Sequence, residues 1–342
     1  MKLRLSALAV FSAAVFVAPV PVAAQTPAPR PNSPAKAAPA APVKWTPPRL
    51  ANGHPDFGGY WNNHTATPLQ RPDNFSGREF LTDAELKDME QRFGRPIRFA
   101  GTATNPFSDL WAGDARWVMS NRRTSMITDP KDGKLPPLTP EAKQRLDAIK
   151  KSRTDFYAGP EELPTFVRCL PVSTSGPPML PTAYNNNYQI VQTNDHIVIA
   201  TEMMHDVRII PLDARPHAGI PQWTGDSVGH WEGDALVVET TNFNGKRGYF
   251  GANGNDLPRP DAKMTVVERF TRTAPDTLLY QFTVNDPGIY TKPWSGEITM
   301  KPFEGTILEY ACNEANQAMT NIMAGARVQE REAAEVAKKT SK

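Results

Sequence analysis

The chain has few cysteines, a nearly balanced charge and, after its first residues, no long apolar run. Its 342 residues include two cysteines, with 38 basic against 36 acidic side chains. A balanced charge disfavours nucleic acid and an anionic membrane as partners, because both attract strongly basic surfaces. A bilayer span needs about 20 apolar residues, so we expect no transmembrane segment in the mature chain. Neither a glycine-rich phosphate loop nor a cysteine-rich metal motif is present, and we expect no cofactor.

The amino terminus has the three parts of a secretory signal peptide. Lys2 and Arg4 are basic, residues 5–18 are largely apolar, and small residues lead up to Ala24. The apolar stretch is too short for a membrane anchor and is followed by prolines, so we predict cleavage after Ala24. Loss of this segment leaves 36 basic against 36 acidic residues. The mature protein is therefore expected to be periplasmic or extracellular.

Cys169 and Cys312 are the two cysteines of the chain. In an oxidising compartment, two distant cysteines are most simply explained by one disulfide. In the chain-entropy model this bond would stabilise the fold by about 4–5 kcal/mol. A catalytic thiol and a pair of free buried thiols are the alternatives.

Composition divides the mature chain into four segments. Residues 25–48 are rich in proline and alanine, which predicts a disordered tether. Residues 49–183 are proline-rich and irregular, so we expect a segment that wraps around a scaffold. Residues 184–313 have the alternating pattern and turn signals that predict β-strands. Residues 314–342 are predicted to form a helix and a tail.

Three helices are expected. Thr82-Asp83-Ala84-Glu85 is a capping box that begins a helix ending near Phe93. Thr139-Pro140-Glu141 places an N-cap, a proline and an acid at the start of a second helix, which ends near Lys151. The third helix, over about 314–336, is expected to pack on the outside of the scaffold or to plug one end.

The β-rich segment predicts the fold class. It contains about eight strands, mostly joined as hairpins, and no helix long enough to connect parallel strands. One hairpin turns at Asn194-Asp195, and the last strand is expected over 306–312. The pattern is typical of an antiparallel meander closed as a lipocalin-like barrel, which can enclose one ligand. Whether the half-polar strand faces line such a cavity or face solvent stays open.

Five stretches of the chain carry a resemblance to known proteins. They are YNNNYQI (184–190), EMMHDVRIIPLD (202–213), GDSVGHWEGD (225–234), TTNF (240–243) and EYACNE (309–314). Together they resemble a large family of exported bacterial proteins that are mostly labelled hypothetical. The resemblance covers about residues 48–327 and implies family membership but little established chemistry. The family usually has a histidine where this chain has Asn313.

Two histidine–carboxylate pairs are the candidate catalytic residues. His205 and Asp206, followed by Arg208, lie at a turn between strands, where a carboxylate can orient an imidazole. His230 and Glu232 are two residues apart, so they share a strand face. A structural role is the alternative for both pairs. Asp206 would cap the turn, Arg208 would pair with a carboxylate on a neighbouring strand, and Glu232 would be solvated in a hairpin. His205, His230 and Glu232 would also suit a metal site, although spacing alone is a weak signal.

Other side chains are candidates for substrate binding because they carry amides, charges or aromatic rings. Amides orient hydroxyl and carbonyl groups, but asparagine is more often a turn residue. Aromatic rings can stack on a substrate, but they more often pack in the core. The candidates are Asn185, Asn186, Asn187, Arg208, Asp226, Tyr290 and Trp294.

These residues lead to three hypotheses of function. The first is an exported enzyme of lyase, hydratase or isomerase type, which uses histidine–carboxylate acid–base chemistry on a small, partly aromatic or hydrophobic molecule. The second is a non-catalytic binding module for a hydrophobic ligand or a cell-envelope partner. The third is a metal-dependent hydrolase.

Overall fold

The structure is a computed structural model. It describes residues 45–94, 117–152, 157–182, 184–247, 249–250, 256–257 and 259–340. The predicted signal peptide and nearly all of the predicted tether lie outside these residues. Within the described ranges, no helix combines the length and the apolar character that a membrane crossing needs.

The described strands form one large antiparallel sheet and a separate two-stranded one. The strands are β1 (Gly59–Asn62), β2 (Ile127–Asp129), β3 (Asn187–Gln192), β4 (His196–Thr201), β5 (Val207–Pro211), β6 (Asp226–Glu232), β7 (Ala235–Thr241), β8 (Tyr249–Phe250), β9 (Asp256–Leu257), β10 (Thr265–Ala274), β11 (Thr277–Asn285) and β12 (Trp294–Pro302). The order in the large sheet is β5-β4-β3-β1-β12-β11-β10-β7-β6, with β2 added to β12 and β8 paired with β9.

The sheet curls into a nearly closed barrel, because β5 at one end lies against β6 at the other. Alternation sets one face of β11 towards the interior: Leu278, Tyr280, Phe282 and Val284 are all buried. The predicted fold class, a mainly antiparallel barrel with short helices and a C-terminal helix, is confirmed.

Two strands come from the segment that the sequence predicted to wrap around the barrel. β1 is inserted between β3 and β12, where Trp61 faces Tyr188 on one side and Pro302 on the other. β2 pairs with β12 through Ile127 and Gly296. The predicted strand over 306–312 is not formed. β1 already occupies the edge of β12 on which a further hairpin strand would pair.

The three predicted helices are present. They are α1 (Asp83–Phe93), α2 (Pro140–Ser152) and α3 (Gln317–Thr340). The capping box of α1 is formed, since Thr82 Oγ1 accepts from the Glu85 amide and the Glu85 carboxylate accepts from the Thr82 amide. α3 lies on the outside of the barrel. Ala326 is the buried residue of this helix, and Arg327 donates to the carbonyl of Tyr157.

The chain itself fills the interior of the barrel. Residues 172–181, which we call the plug, are all buried and lie between the barrel walls. Tyr188 on β3 donates to the carbonyl of Thr174 over 3.2 Å, and the Met179 amide donates to the Tyr280 hydroxyl on β11 over 2.8 Å. The predicted disulfide between Cys169 and Cys312 is also formed, just before the plug.

Candidate functional site

A buried ion pair crosses the interior of the barrel beside the plug. Both guanidinium Nη atoms of Arg208 on β5 donate to the carboxylate of Glu268 on β10, over 3.0 and 2.5 Å. Both side chains are at most 3% exposed. Tyr280 Oη donates to Glu268 Oε1 over 2.8 Å, and Ser227 Oγ accepts from Arg208 over 3.2 Å. Besides its own two strands, the pair is therefore held by hydrogen bonds to two further strands, β6 and β11.

The protonation states of this cluster follow from burial and from the pairing. Burial acts to lower the pKa of Arg208, but the charge of Glu268 and the bonds to it raise this pKa above its ordinary value. Burial raises the pKa of the Tyr188 and Tyr280 hydroxyls, so both stay protonated. Arg208, Tyr188 and Tyr280 therefore keep their protons.

The plug occupies the place that a ligand takes in an open barrel. Arg247 donates to the carbonyls of Val172 and Gly176 in the plug. Gly176 has a positive φ of 61°, and a Cβ there would lie 2.5 Å from the Met179 side chain. Side chain and backbone are therefore packed tightly at the centre of the molecule.

The structure separates the four predicted catalytic residues. β5 and β6 face each other across a seam where the barrel closes. Arg208 is opposite Ser227, and Ile210, two residues further along β5, is near Gly229, two residues further along β6. The two strands therefore run in the same direction. His205, before β5, and His230, near the end of β6, consequently lie towards opposite ends of the seam.

The surroundings of the two pairs also differ. His205 is exposed, whereas Asp206 is half-buried, and burial raises the pKa of its carboxyl against the influence of Arg247. His230 Nε2 lies 3.3 Å from Glu232 Oε1, and Arg269 donates to Glu232 Oε2 over 2.6 Å. These three side chains are 41–51% exposed. His230 and Glu232 lie on the β6 face opposite Ser227, so they belong to the outer surface of the barrel.

The three predicted asparagines bind other parts of the chain. Asn185 and Asn187 each donate to the buried carboxylate of Glu202, over 2.5 and 3.1 Å. Asn186 accepts from the Thr182 amide over 2.7 Å and donates to its carbonyl over 3.1 Å. Asn186 makes the side-chain-to-backbone bonds of a turn residue, whereas Asn185 and Asn187 join the entry of β3 to Glu202.

The remaining predicted ligand-binding residues also have partners within the fold. Asp226 accepts from the Ala218 amide over 2.6 Å and lies 3.2 Å from His217 Nδ1. Trp294 is 3% exposed and makes edge-to-face contacts with Tyr290 and with Phe282. These two predicted aromatic residues pack in the core.

A separate cavity of about 500 Å³ lies beside α2, between that helix and the chain segments before β10 and after β11. We call it the α2 pocket. Its walls combine apolar side chains with two arginines and one aspartate. The lining residues are Ala142, Arg145, Leu146, Ala148, Gly245, Arg259, Pro260, Asp261, Ala262 and Ile289.

Charged groups of the α2 pocket are only loosely paired. Arg145 Nη2 donates to the carbonyl of Gly288 over 2.7 Å, and its Nη1 lies 3.9 Å from Asp261 Oδ2. The Asp261 amide donates to Asp286 Oδ2 over 3.0 Å. Burial, together with the nearby charge of Asp261, raises the pKa of Asp286 to about 6. Asp261 on the pocket wall therefore has a second carboxyl, that of Asp286, beside it, and Arg145 contacts Asp261 at the limit of an ion pair.

Sequence reasoning missed this pocket. Its residues come from a helix and two connecting segments, and no fixed spacing relates Arg145, Arg259 and Ile289. The one signal was the start of α2 itself, since the Thr139 hydroxyl caps that helix and also reaches the carbonyl of Gly288 over 3.3 Å.

Comparison with known proteins finds no family model, no curated protein and no solved structure that matches the chain. Among the described residues, no group of three His, Cys, Asp or Glu side chains is placed to hold a metal ion. The α2 pocket is thus the candidate site on geometric grounds alone.

Proposed function

We propose that the chain is an exported protein that binds a small, partly apolar molecule in the α2 pocket. The observation that carries this proposal is the cavity of about 500 Å³ with its mixed lining. Pockets for small molecules commonly have volumes of about 300–1,000 Å³ and combine an apolar lining with a few polar groups. Export is supported by the disulfide, which suits an oxidising compartment.

The barrel interior is less suited to this role. The plug residues Ser173, Thr174 and Met179 are fully buried there, with fractional exposures of 0%. A ligand at this position would have to displace a segment that Tyr188 on β3, Tyr280 on β11 and Arg247 hold by hydrogen bonds. The α2 pocket requires no such displacement.

Acid–base catalysis by His205, Asp206, His230 and Glu232 stays a prediction. A general base must lie within hydrogen-bond reach of the substrate proton, and acid and base must face one substrate. His205 and His230 lie towards opposite ends of the β5–β6 seam, so the geometry favours the binding hypothesis over this catalytic one.

The test is to fill the pocket and to measure binding. Small aromatic and aliphatic fragments are screened against the mature chain by thermal shift, and each hit is mapped by amide chemical shifts in NMR. Ala262 is exposed and lines the pocket, so Ala262→Trp places an indole there while leaving the core unchanged. We expect the hits to perturb amides of α2 and Ile289 and to lose binding in this variant.

Val207→Trp serves as the matched control, because Val207 is 49% exposed on the barrel wall and does not line the α2 pocket. It should bind every hit as the parent chain does. Fragments that bind Ala262→Trp unchanged, or that perturb only plug and barrel amides, would place the ligand elsewhere and refute the proposal.

A further inference from the structure

Two arginines on the wall of the α2 pocket donate to neutral acceptors. Arg259 Nη2 donates to the backbone carbonyl of Glu161 over 3.0 Å. Arg145 Nη2 donates to the carbonyl of Gly288 over 2.7 Å. Among the described residues, the lining contains one acidic side chain, Asp261, whose nearest oxygen lies 3.9 Å from Arg145 Nη1. Two arginines therefore line the described part of this wall against one aspartate, with Asp286 beside that aspartate.

A third arginine lies near Arg259 but does not line the pocket. Burial and then the like charge of Arg259 lower the pKa of Arg168, while the negative charge of Glu161 acts in the opposite direction. The Nε atom of Arg168 is buried without a hydrogen-bond partner among the described residues. Like charges near one another are stabilised when an anion binds beside them.

The rest of the lining is apolar. Leu146, Pro260 and Ile289 face the same cavity as the two arginines. A bound molecule would therefore meet guanidinium groups and hydrocarbon within one pocket, which suits a ligand that carries both a charge and an apolar body.

We propose that the α2 pocket takes a small amphipathic carboxylate. Its charged group pairs with Arg259 and Arg145, while its ring or short chain lies against Leu146, Pro260 and Ile289. A guanidinium presents its N–H groups in a planar fork that matches the two oxygens of a carboxylate, which favours this anion. The inference rests on the proposed binding function and specifies the ligand class of the same site.

The experiment compares probes of one shape and different charge. The mature chain is titrated calorimetrically with 2-naphthoate, with 2-naphthalenemethanol, with 2-naphthylmethylammonium and with acetate. We expect 2-naphthoate to bind at least about tenfold more tightly than the neutral alcohol, since a charge-assisted hydrogen bond contributes that much. The ammonium probe should bind more weakly than the alcohol. Acetate should bind more weakly than 2-naphthoate, because it lacks the apolar body.

Variants assign the selectivity to the arginines. Arg259→Gln should weaken 2-naphthoate binding about tenfold and leave the alcohol unchanged. Arg259→Lys keeps the positive charge but loses the planar fork of N–H groups. Its affinity for 2-naphthoate should lie between those of the parent chain and of Arg259→Gln. Arg92→Gln is the matched control, because Arg92 is exposed on α1 and pairs with Asp88 of the same helix.

The outcomes separate the two proposals. If the alcohol or the ammonium probe binds as tightly as 2-naphthoate, or if Arg259→Gln leaves 2-naphthoate unaffected, the carboxylate inference is overturned while binding in the pocket stands. If none of the naphthalene probes binds and the fragment screen also yields no pocket ligand, the proposed function itself fails.

Discussion

The interior of the barrel and the α2 pocket both bring arginine and carboxylate together, but they do so in opposite ways. In the interior, Arg208 and Glu268 form a two-fold hydrogen-bonded pair, with further bonds from Tyr280 and to Ser227. In the pocket, Arg145 and Asp261 are 3.9 Å apart, and Arg145 is 55% exposed on its side chain. Arginine and carboxylate side chains stabilise the fold where they form hydrogen bonds with each other. Where they are only loosely paired, as in the pocket, they can bind a ligand.

Loss of the interior carboxylate should have the largest effect. Glu268→Gln leaves the buried charge of Arg208 without a counter-charge, which costs about 3–5 kcal/mol when one partner of a buried pair is removed. Urea unfolding of the mature chain measures the change. Glu232→Gln, at an exposed pair on the outer surface, should leave the unfolding midpoint unchanged. If Glu268→Gln and the parent chain have equal unfolding midpoints, the interior ion pair does not stabilise the fold, and the contrast with the pocket is lost.

The disulfide tests how far the plug depends on its covalent anchor. Cys169 precedes the plug by three residues and closes a loop of 143 residues with Cys312. The double variant Cys169→Ser/Cys312→Ser should lose about 2–5 kcal/mol of stability. Amide exchange of the plug should rise in it, whereas exchange around the α2 pocket should change little. Faster exchange at the pocket alone would contradict this assignment.

Asp286 makes the pocket region sensitive to pH. Its pKa is raised to about 6 in the folded chain, against about 3.9 for an unfolded aspartate. The folded state therefore binds the proton more tightly, and stability from this group falls as pH rises from about 4 to about 6.

Replacing Asp286 should remove this dependence. Asp286→Asn should be more stable than the parent above pH 6, by at most about 3 kcal/mol, and the difference should shrink below pH 4. Denaturant unfolding at pH 4 and pH 8 measures it, with the exposed Asp213→Asn as control. A gain at pH 4 that equals the gain at pH 8 would show that the carboxyl does not titrate as described.

The predicted catalytic histidines should have the smallest effect. His205 is exposed and His230 pairs with Glu232 on the outer surface. His205→Ala and His230→Ala should keep the unfolding midpoint and the affinity for the pocket ligand of the parent chain. If either variant loses ligand binding, the ligand site includes that histidine. The assignment of the site to the α2 pocket is then wrong, and the hypothesis of histidine catalysis is favoured.

The barrel was predictable from sequence because its hairpins carry local signals. The turn at Asn194-Asp195 separates two alternating stretches, and these form β3 and β4. β1 has four residues and starts at a glycine, so it is too short to show a period. It acquires its strand structure from its neighbours in the sheet, Tyr188 and Pro302, which are distant in sequence.

The site was less accessible to sequence reasoning. Arg208 was singled out, but its partner Glu268 lies 60 residues away and faces it only once the barrel has closed. The motif histidines drew attention because imidazole is a frequent catalytic group. Their exposure is set by which strand face points inward, and a single sequence leaves that choice open. Arg145 and Arg259 line the same pocket only because α2 packs beside the segment that precedes β10.

The position of β1 has a consequence for how the chain reaches its native state. Trp61 pairs with Tyr188 and with Pro302, so the strand that joins the two parts of the sheet is far in sequence from both of its neighbours. Without β1, the strand order would end at β3 on one side and begin at β12 on the other. Closing such long loops is entropically costly and slows folding. Closure of the barrel therefore depends on two pairings between residues that are distant in sequence.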